Sequence, residues 1–157
     1  LRAGKPVLVA DADDRENEGD AIISAELASP EWIAWMVRHT TGFLCVPMED
    51  ARANELGLPL MTNHNADPHG TNYTITVDAA NRISTGVSAE DRANTARVLA
   101  DPASGPASLI RPGPMLPLRA TASMSDRFSG DSTARADGVA LVMDAPVFCM
   151  VSLNSFN

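Results

Sequence analysis

The chain has 157 residues and a mass of 16.6 kDa, a length that points to one domain, and its 45% apolar residues suffice to fill one core. Twelve basic against twenty acidic residues leave a net charge of -8 and a pI near 4.7, which argues against nucleic acid or an anionic membrane as partner and leaves a small molecule, a metal or another protein. No apolar run approaches the roughly 20 residues needed to span a bilayer, and Leu1-Arg2-Ala3-Gly4-Lys5 lacks the apolar core of a signal peptide, so the expectation is a cytoplasmic protein.

Lys5 to Ala10 reads as a buried strand, with Pro6 at a strand-start position and an apolar run closed by charge. Asp13-Asp14-Arg15-Glu16-Asn17-Glu18-Gly19-Asp20 follows, five carboxylates in eight residues. So dense a charge repels itself unless the fold uses it to grip a cation or a polyhydroxylated substrate. Because Ala21 to Ala25 resumes as a strand, the acidic stretch is a loop between core elements, placed where ligands bind if the strands are joined by helical crossovers.

Ser29-Pro30-Glu31 starts a helix, with Ser as N-cap, Pro at the first helical position and an acidic residue in the first turn. Trp32, Trp35, Met36 and His39 recur at helical spacing as a core-facing stripe, and Gly42 is placed to stop the helix. Phe43 to Val46 reads as a strand and Glu49 to Leu56 as a short helix ended by Gly57. Pro59 to Gly70 is irregular; its His64 and His69 lack the further ligands a zinc site needs. Tyr73 to Val77 alternates as a half-buried strand.

Ser88 with Asp91 has the spacing of a capping box, opening a helix to about Leu99 that Asp101-Pro102 ends. Ser104 to Pro117 holds four of the eleven prolines and reads as a rigid extended loop, on which Arg111 could meet an anion with little entropy loss or simply be solvated. Ser125 to Asp131 is turn-like, Ser132 to Met143 is a predicted helix, and Val147 to Leu153 a final strand. Cys45 and Cys149 lie in apolar runs and are expected as buried free thiols.

Four of these segments, in this order, resemble the 3,4-dihydroxy-2-butanone 4-phosphate synthase family of the riboflavin pathway, whose members convert ribulose 5-phosphate to a four-carbon product and formate. They are the acidic loop Asp14 to Asp20, His69-Gly70-Thr71, Thr85 to Ala89 with Asp91-Arg92, and Arg111-Pro112-Gly113. The resemblance implies a single α/β domain over residues 1–157, a mixed-sheet sandwich that starts after the family's first helix and stops before its last. It also implies a homodimer with active sites at the subunit interface. In family members the Glu matching Glu16 contacts the metal, and the residues matching Arg15 and Asp20 contact substrate. Enolisation beside a ketose carbonyl needs a Lewis acid and proton-moving carboxylates, which is the chemistry such a loop can supply.

The later motifs depart from the family. Pro114 stands where the family has a catalytic His, Phe128 and Asp131 where it has a phosphate-binding Arg and a metal-binding His, and Ser152 where it has a catalytic Glu. These changes remove charge, and the resulting expectation is a diverged lyase- or isomerase-like enzyme acting on a different, less phosphorylated metabolite by enolisation, isomerisation, cyclisation or elimination. Its catalytic residues would be Glu16, Asp20 and Asp131, and its substrate-binding residues Arg15, His69, Thr71, Arg111, Ser132 and Ser152. Glu16 and Asp131 would hold Mg2+ or Mn2+, with no organic cofactor, or else face each other without metal as like charges that raise one pKa. Two alternatives stand beside it: the family's own reaction, and a non-catalytic dimeric homologue.

Overall fold

The computed structural model describes residues 1–10, 19–120 and 148–153. Among them lies a mixed sheet: β1 (Val7–Ala10), β2 (Gly19–Ser24), β3 (Cys45–Glu49), β4 (Asn72–Tyr73), β5 (Val77–Ala79), β6 (Leu109–Ala120) and β7 (Phe148–Leu153). The order is β1-β2-β7-β3-β6-β4, with β5 pairing β6 off this path. Helices α1 (Pro30–His39), α2 (Asp50–Glu55) and α3 (Ala89–Ala100) pack against one face. This is the single mixed α and β domain expected, although β1 and β2 form an antiparallel pair and not a crossover unit. The expected turn at 125–131 and helix at 132–143 lie outside the described residues.

Helix α1 begins as its sequence dictates: Ser29 Oγ accepts from the Trp32 amide at 3.3 Å, a cap contributing about 1 kcal/mol. The buried stripe is Ile33 and Met36, each contributing about 1.5–3 kcal/mol by burial. Trp32 and Trp35 are only half-buried, and His39 lies exposed against the Trp35 ring, with centroids 5.4 Å apart. The expected stripe is thus rotated toward Ile33. The helix ends at Thr40, and Gly42 takes its φ of 72° in the turn that follows.

The predicted loop from Ser104 to Pro117 is largely strand β6, preceded by a short 3-10 turn at Pro106–Ser108. Proline removes donors but keeps its carbonyl, and its fixed φ suits extended chain. Pro117 O accepts both the amide of Thr74, at 3.0 Å, and its hydroxyl, at 2.8 Å, while Leu116 N donates to Leu44 O. The same missing donors explain why the predicted strand Tyr73 to Val77 is split into β4 and β5, with a register shift at Val77/Asp78.

Helix α3 is capped by Ser88 Oγ, which accepts from the Asp91 amide at 3.0 Å. Asp91 does not close the predicted box. Its buried carboxylate turns to the preceding loop and accepts from Ser84 Oγ at 2.7 Å and from the amides of Ser84, Thr85 and Gly86 at 3.0 to 3.3 Å. Gly86 has a φ of 79°, and a side chain there would overlap the Asp78 carboxylate. Asp78 is itself buried, held by the Thr95 hydroxyl at 3.0 Å, and burial pushes its carboxyl above the usual range.

Hydrogen bonds, led by the Ser84 hydroxyl, hold Asp91 at about 2, below its ordinary 3.8. A carboxyl depressed by folding stabilises the fold above its unfolded pKa, and that contribution fades as the folded pKa is approached. The urea midpoint of the wild type is therefore expected to exceed that of Asp91→Asn at pH 5, with the gap closing as pH falls from about 4 toward 2. A gap constant across that window would show that the charge on Asp91 does not hold the loop.

Candidate active site

Ala10 and Gly19 are register partners, so the acidic residues leave and re-enter the sheet side by side. Asp20 follows at once, flanked by Val9 on β1 and Ser152 on β7. Because Ala21 and Ile23 belong to the core beneath the helices, the strand's alternation turns Asp20 to the opposite face. On that face a second cluster is built from strand residues alone, namely Cys45, Leu116 and Leu118 with Tyr73 packed against them.

Cys45 lies beside Met150 and Leu116 in register, and two causes push its thiol up to about 11: burial first, then the negative charge of Asp20. It is a neutral thiol at pH 7, not a nucleophile. Cys149 is fully buried and raised to about 12, so both cysteines are the buried free thiols expected. Tyr73 stands next along the face, its phenol raised by burial and by the nearby Cys45 and Asp67, and its ring 6.5 Å from that of Phe43.

The segment His69-Gly70-Thr71 leads directly into β4. The Thr71 amide donates to Asp67 Oδ2 at 2.7 Å, and the Thr71 side chain is in hydrogen-bonding reach of both Asp67 and Tyr73. Asp20, Cys45 and Tyr73 thus share the face away from the helices on alternate strands, with Ser152 the register partner of Asp20 and Thr71 just before β4. All-oxygen donors such as the acidic loop carries are the chemistry a hard divalent cation prefers. Among the described residues no group of three His, Cys, Asp or Glu could hold a metal. Arg15, Glu16, Phe128, Asp131 and Ser132 lie outside the described residues.

Arg111 sits elsewhere. Its Nη2 donates to Leu56 O at 2.6 Å, and its Nη1 to Pro106 O and Leu109 O at 3.1 and 3.2 Å. It is neither a solvated loop residue nor a side chain aimed at an anion; the guanidinium ties β6 to the end of α2. Arg52 acts similarly at the end of α3, donating to the carbonyls of Leu99, Asp101 and Ser104. Sequence reading missed that Cys45 feels the charge of Asp20 and that Tyr73 lies on the same face of the sheet. It also passed over Asn65 and Asp67, whose turn-forming residue types before Pro68 were the available signal.

Comparison with known proteins bears on the family and the fold. The model of the 3,4-dihydroxy-2-butanone 4-phosphate synthase family matches residues 1–147. Riboflavin biosynthesis protein RibBA of Rhodococcus jostii is 53% identical over 137 residues, covering 87% of this chain and 33% of that protein. RibBA of Salinispora arenicola is 52% identical over 135 residues, covering 86% and 32%. The chain therefore spans about a third of the length of these curated relatives. A crystal structure of 3,4-dihydroxy-2-butanone 4-phosphate synthase in complex with two magnesium ions superposes with a TM-score of 0.84 at 42% identity, covering 97% of this chain and 71% of that one.

These relatives overturn the expectation of a diverged enzyme with another substrate. That expectation set Pro114, Phe128, Asp131 and Ser152, all in the last third of the chain, above the shared remainder. Identity of 53% over 137 residues, with relatives named for riboflavin biosynthesis, weighs on the side of the parent reaction. By match and by fold, the chain belongs to the 3,4-dihydroxy-2-butanone 4-phosphate synthase family.

Proposed function

We propose that this domain carries out the family's own reaction, converting ribulose 5-phosphate to 3,4-dihydroxy-2-butanone 4-phosphate and formate, as a cytoplasmic homodimer. The observation that carries the reading is the position of Asp20: it opens β2 where the acidic loop rejoins the sheet, on the face it shares with Cys45 and Tyr73. In this reading Asp20 and Glu16 move protons next to the ketose carbonyl, Asp131 joins them, and Arg15, His69, Thr71, Ser132 and Ser152 orient the sugar phosphate. Glu16 and Asp131 would hold Mg2+, the ion present in the similar synthase structure. When bound, the ion supplies Lewis-acid stabilisation of the enediolate. Arg111 belongs to the scaffold.

The burial of Cys45 on the face it shares with Asp20 supports the reading, because a carboxylate in a less polar setting interacts more strongly with developing charge than one in water. Incubation with ribulose 5-phosphate and Mg2+ is expected to release formate, and EDTA to abolish the release. Protein that folds and gives no formate with Mg2+ or Mn2+ would refute the proposal.

A further inference from the structure

The irregular segment between α2 and β4 is more ordered in its bonding than its composition suggests. The Asp67 amide donates to Asn65 Oδ1 at 2.9 Å, and Asn65 Nδ2 donates to Thr71 O at 3.0 Å. Asp67 Oδ2 accepts the Thr71 amide at 2.7 Å, and the Gly70 amide donates to Asp67 O at 3.0 Å. Two short side chains therefore bind the loop from both sides of His69-Gly70-Thr71, one holding the amide of Thr71 and the other its carbonyl. Asp67 is half-buried as a residue, whereas Asn65 is exposed.

The bracing continues into the sheet. The Tyr73 amide donates to Thr71 O at 3.1 Å, the same carbonyl that Asn65 holds, and the Thr71 side chain lies near both Asp67 and the Tyr73 phenol. Tyr73 in turn packs on the cluster containing Cys45, on the face of the sheet that also holds Asp20. A rotation of Thr71 would thus be transmitted to the ring that borders the candidate active site. Beyond Met61, whose amide donates to Tyr73 O at 2.9 Å, residues 62–71 lie outside helix and strand, so without these side-chain bonds the segment would sample many conformations.

We propose that Asp67, assisted by Asn65, is a positioning residue that sets the orientation of Thr71 and His69 toward the substrate through its grip on the Thr71 amide. The proposal rests on the substrate-binding role given to His69 and Thr71 under the proposed function. Asp67 does not touch the reacting atoms. Its effect is to lower the entropy lost when the loop meets the sugar phosphate, which appears in substrate affinity more than in the chemical step.

Asp67→Ala, Asp67→Asn and wild type, each as the full chain, are to be compared by amide hydrogen exchange and by steady-state kinetics with ribulose 5-phosphate and Mg2+. Asp67→Ala is expected to speed exchange of the Thr71 amide by about tenfold and to raise KM by about tenfold with kcat within about threefold, as loss of one charge-assisted hydrogen bond predicts. Asp67→Asn, which keeps an acceptor oxygen, is expected to recover most of both. Unchanged exchange at Thr71 overturns the grip itself. Faster exchange with unchanged KM overturns the positioning role while leaving the family reaction standing. A wild type that releases no formate overturns the proposed function, and the substrate role of Asp67 falls with it.

Discussion

Alanine at Gly113 is expected to destabilise the domain by about 3 kcal/mol or more, a large part of the margin a single domain possesses. A Cβ there would fall inside the Val77 carbonyl group and against the Asp78 amide, where β6 passes β5. Main chain meets main chain at this point, so no rotamer change relieves the overlap, and the strands must separate. Gly105 provides the control: nothing lies within 4 Å of its added Cβ, and its φ is -129°. Urea unfolding of Gly105→Ala is expected to stay within about 0.5 kcal/mol of wild type, as is usual for surface changes. Equal midpoints for the two variants would remove the close approach of β5 and β6 from the account of this fold.

Replacement of Asp20 by Asn is expected to cut formate release by about 10²- to 10⁴-fold, the range typical for loss of one general acid/base group. The shape and burial of the side chain are kept, so the sheet should persist. A second readout comes from Cys45, whose thiol stands at about 11 through burial and the Asp20 charge. With that charge gone the thiol pKa is expected to fall yet stay above its ordinary value of 9.0, because burial is the larger cause. Full turnover in Asp20→Asn would show that this carboxylate is not part of the chemistry. A lowered thiol pKa alongside full turnover would confirm its place on the face while denying its role.

The sequence alone determined the features whose causes act within a few residues. Ser29-Pro30 starts α1 because a hydroxyl and a donor-free residue answer the unpaired amides of a helix end. Ser88 starts α3 for the same reason, and the acidic loop announced its chemistry because five carboxylates in eight residues need an external reason to coexist. The family was also legible, from four separate short motifs in order. What those motifs did not carry was the weight to give the departures at Pro114 and Ser152, and the relatives shift that weight toward the parent reaction.

The tertiary structure decided everything that depends on partners far away in the chain. Arg111 looked like an anion-binding residue because its neighbours are stiff, but its guanidinium is taken by Leu56 O, 55 positions earlier. Gly113 looked like part of that loop, but its lack of a side chain serves the contact with Val77. Ser104 to Pro117 read as a loop because proline weakens a strand, and only the neighbouring β3, β4 and β5 make most of it one. Asp20 meets Ser152, and Cys45 meets Met150, through cross-strand register, which hydrophobic alternation constrains to a face but not to a partner. Local chemistry therefore specified where helices begin and where carboxylates gather. The sheet order specified that Asp20 shares a face with the Cys45 thiol and, further across the sheet, with the Tyr73 phenol.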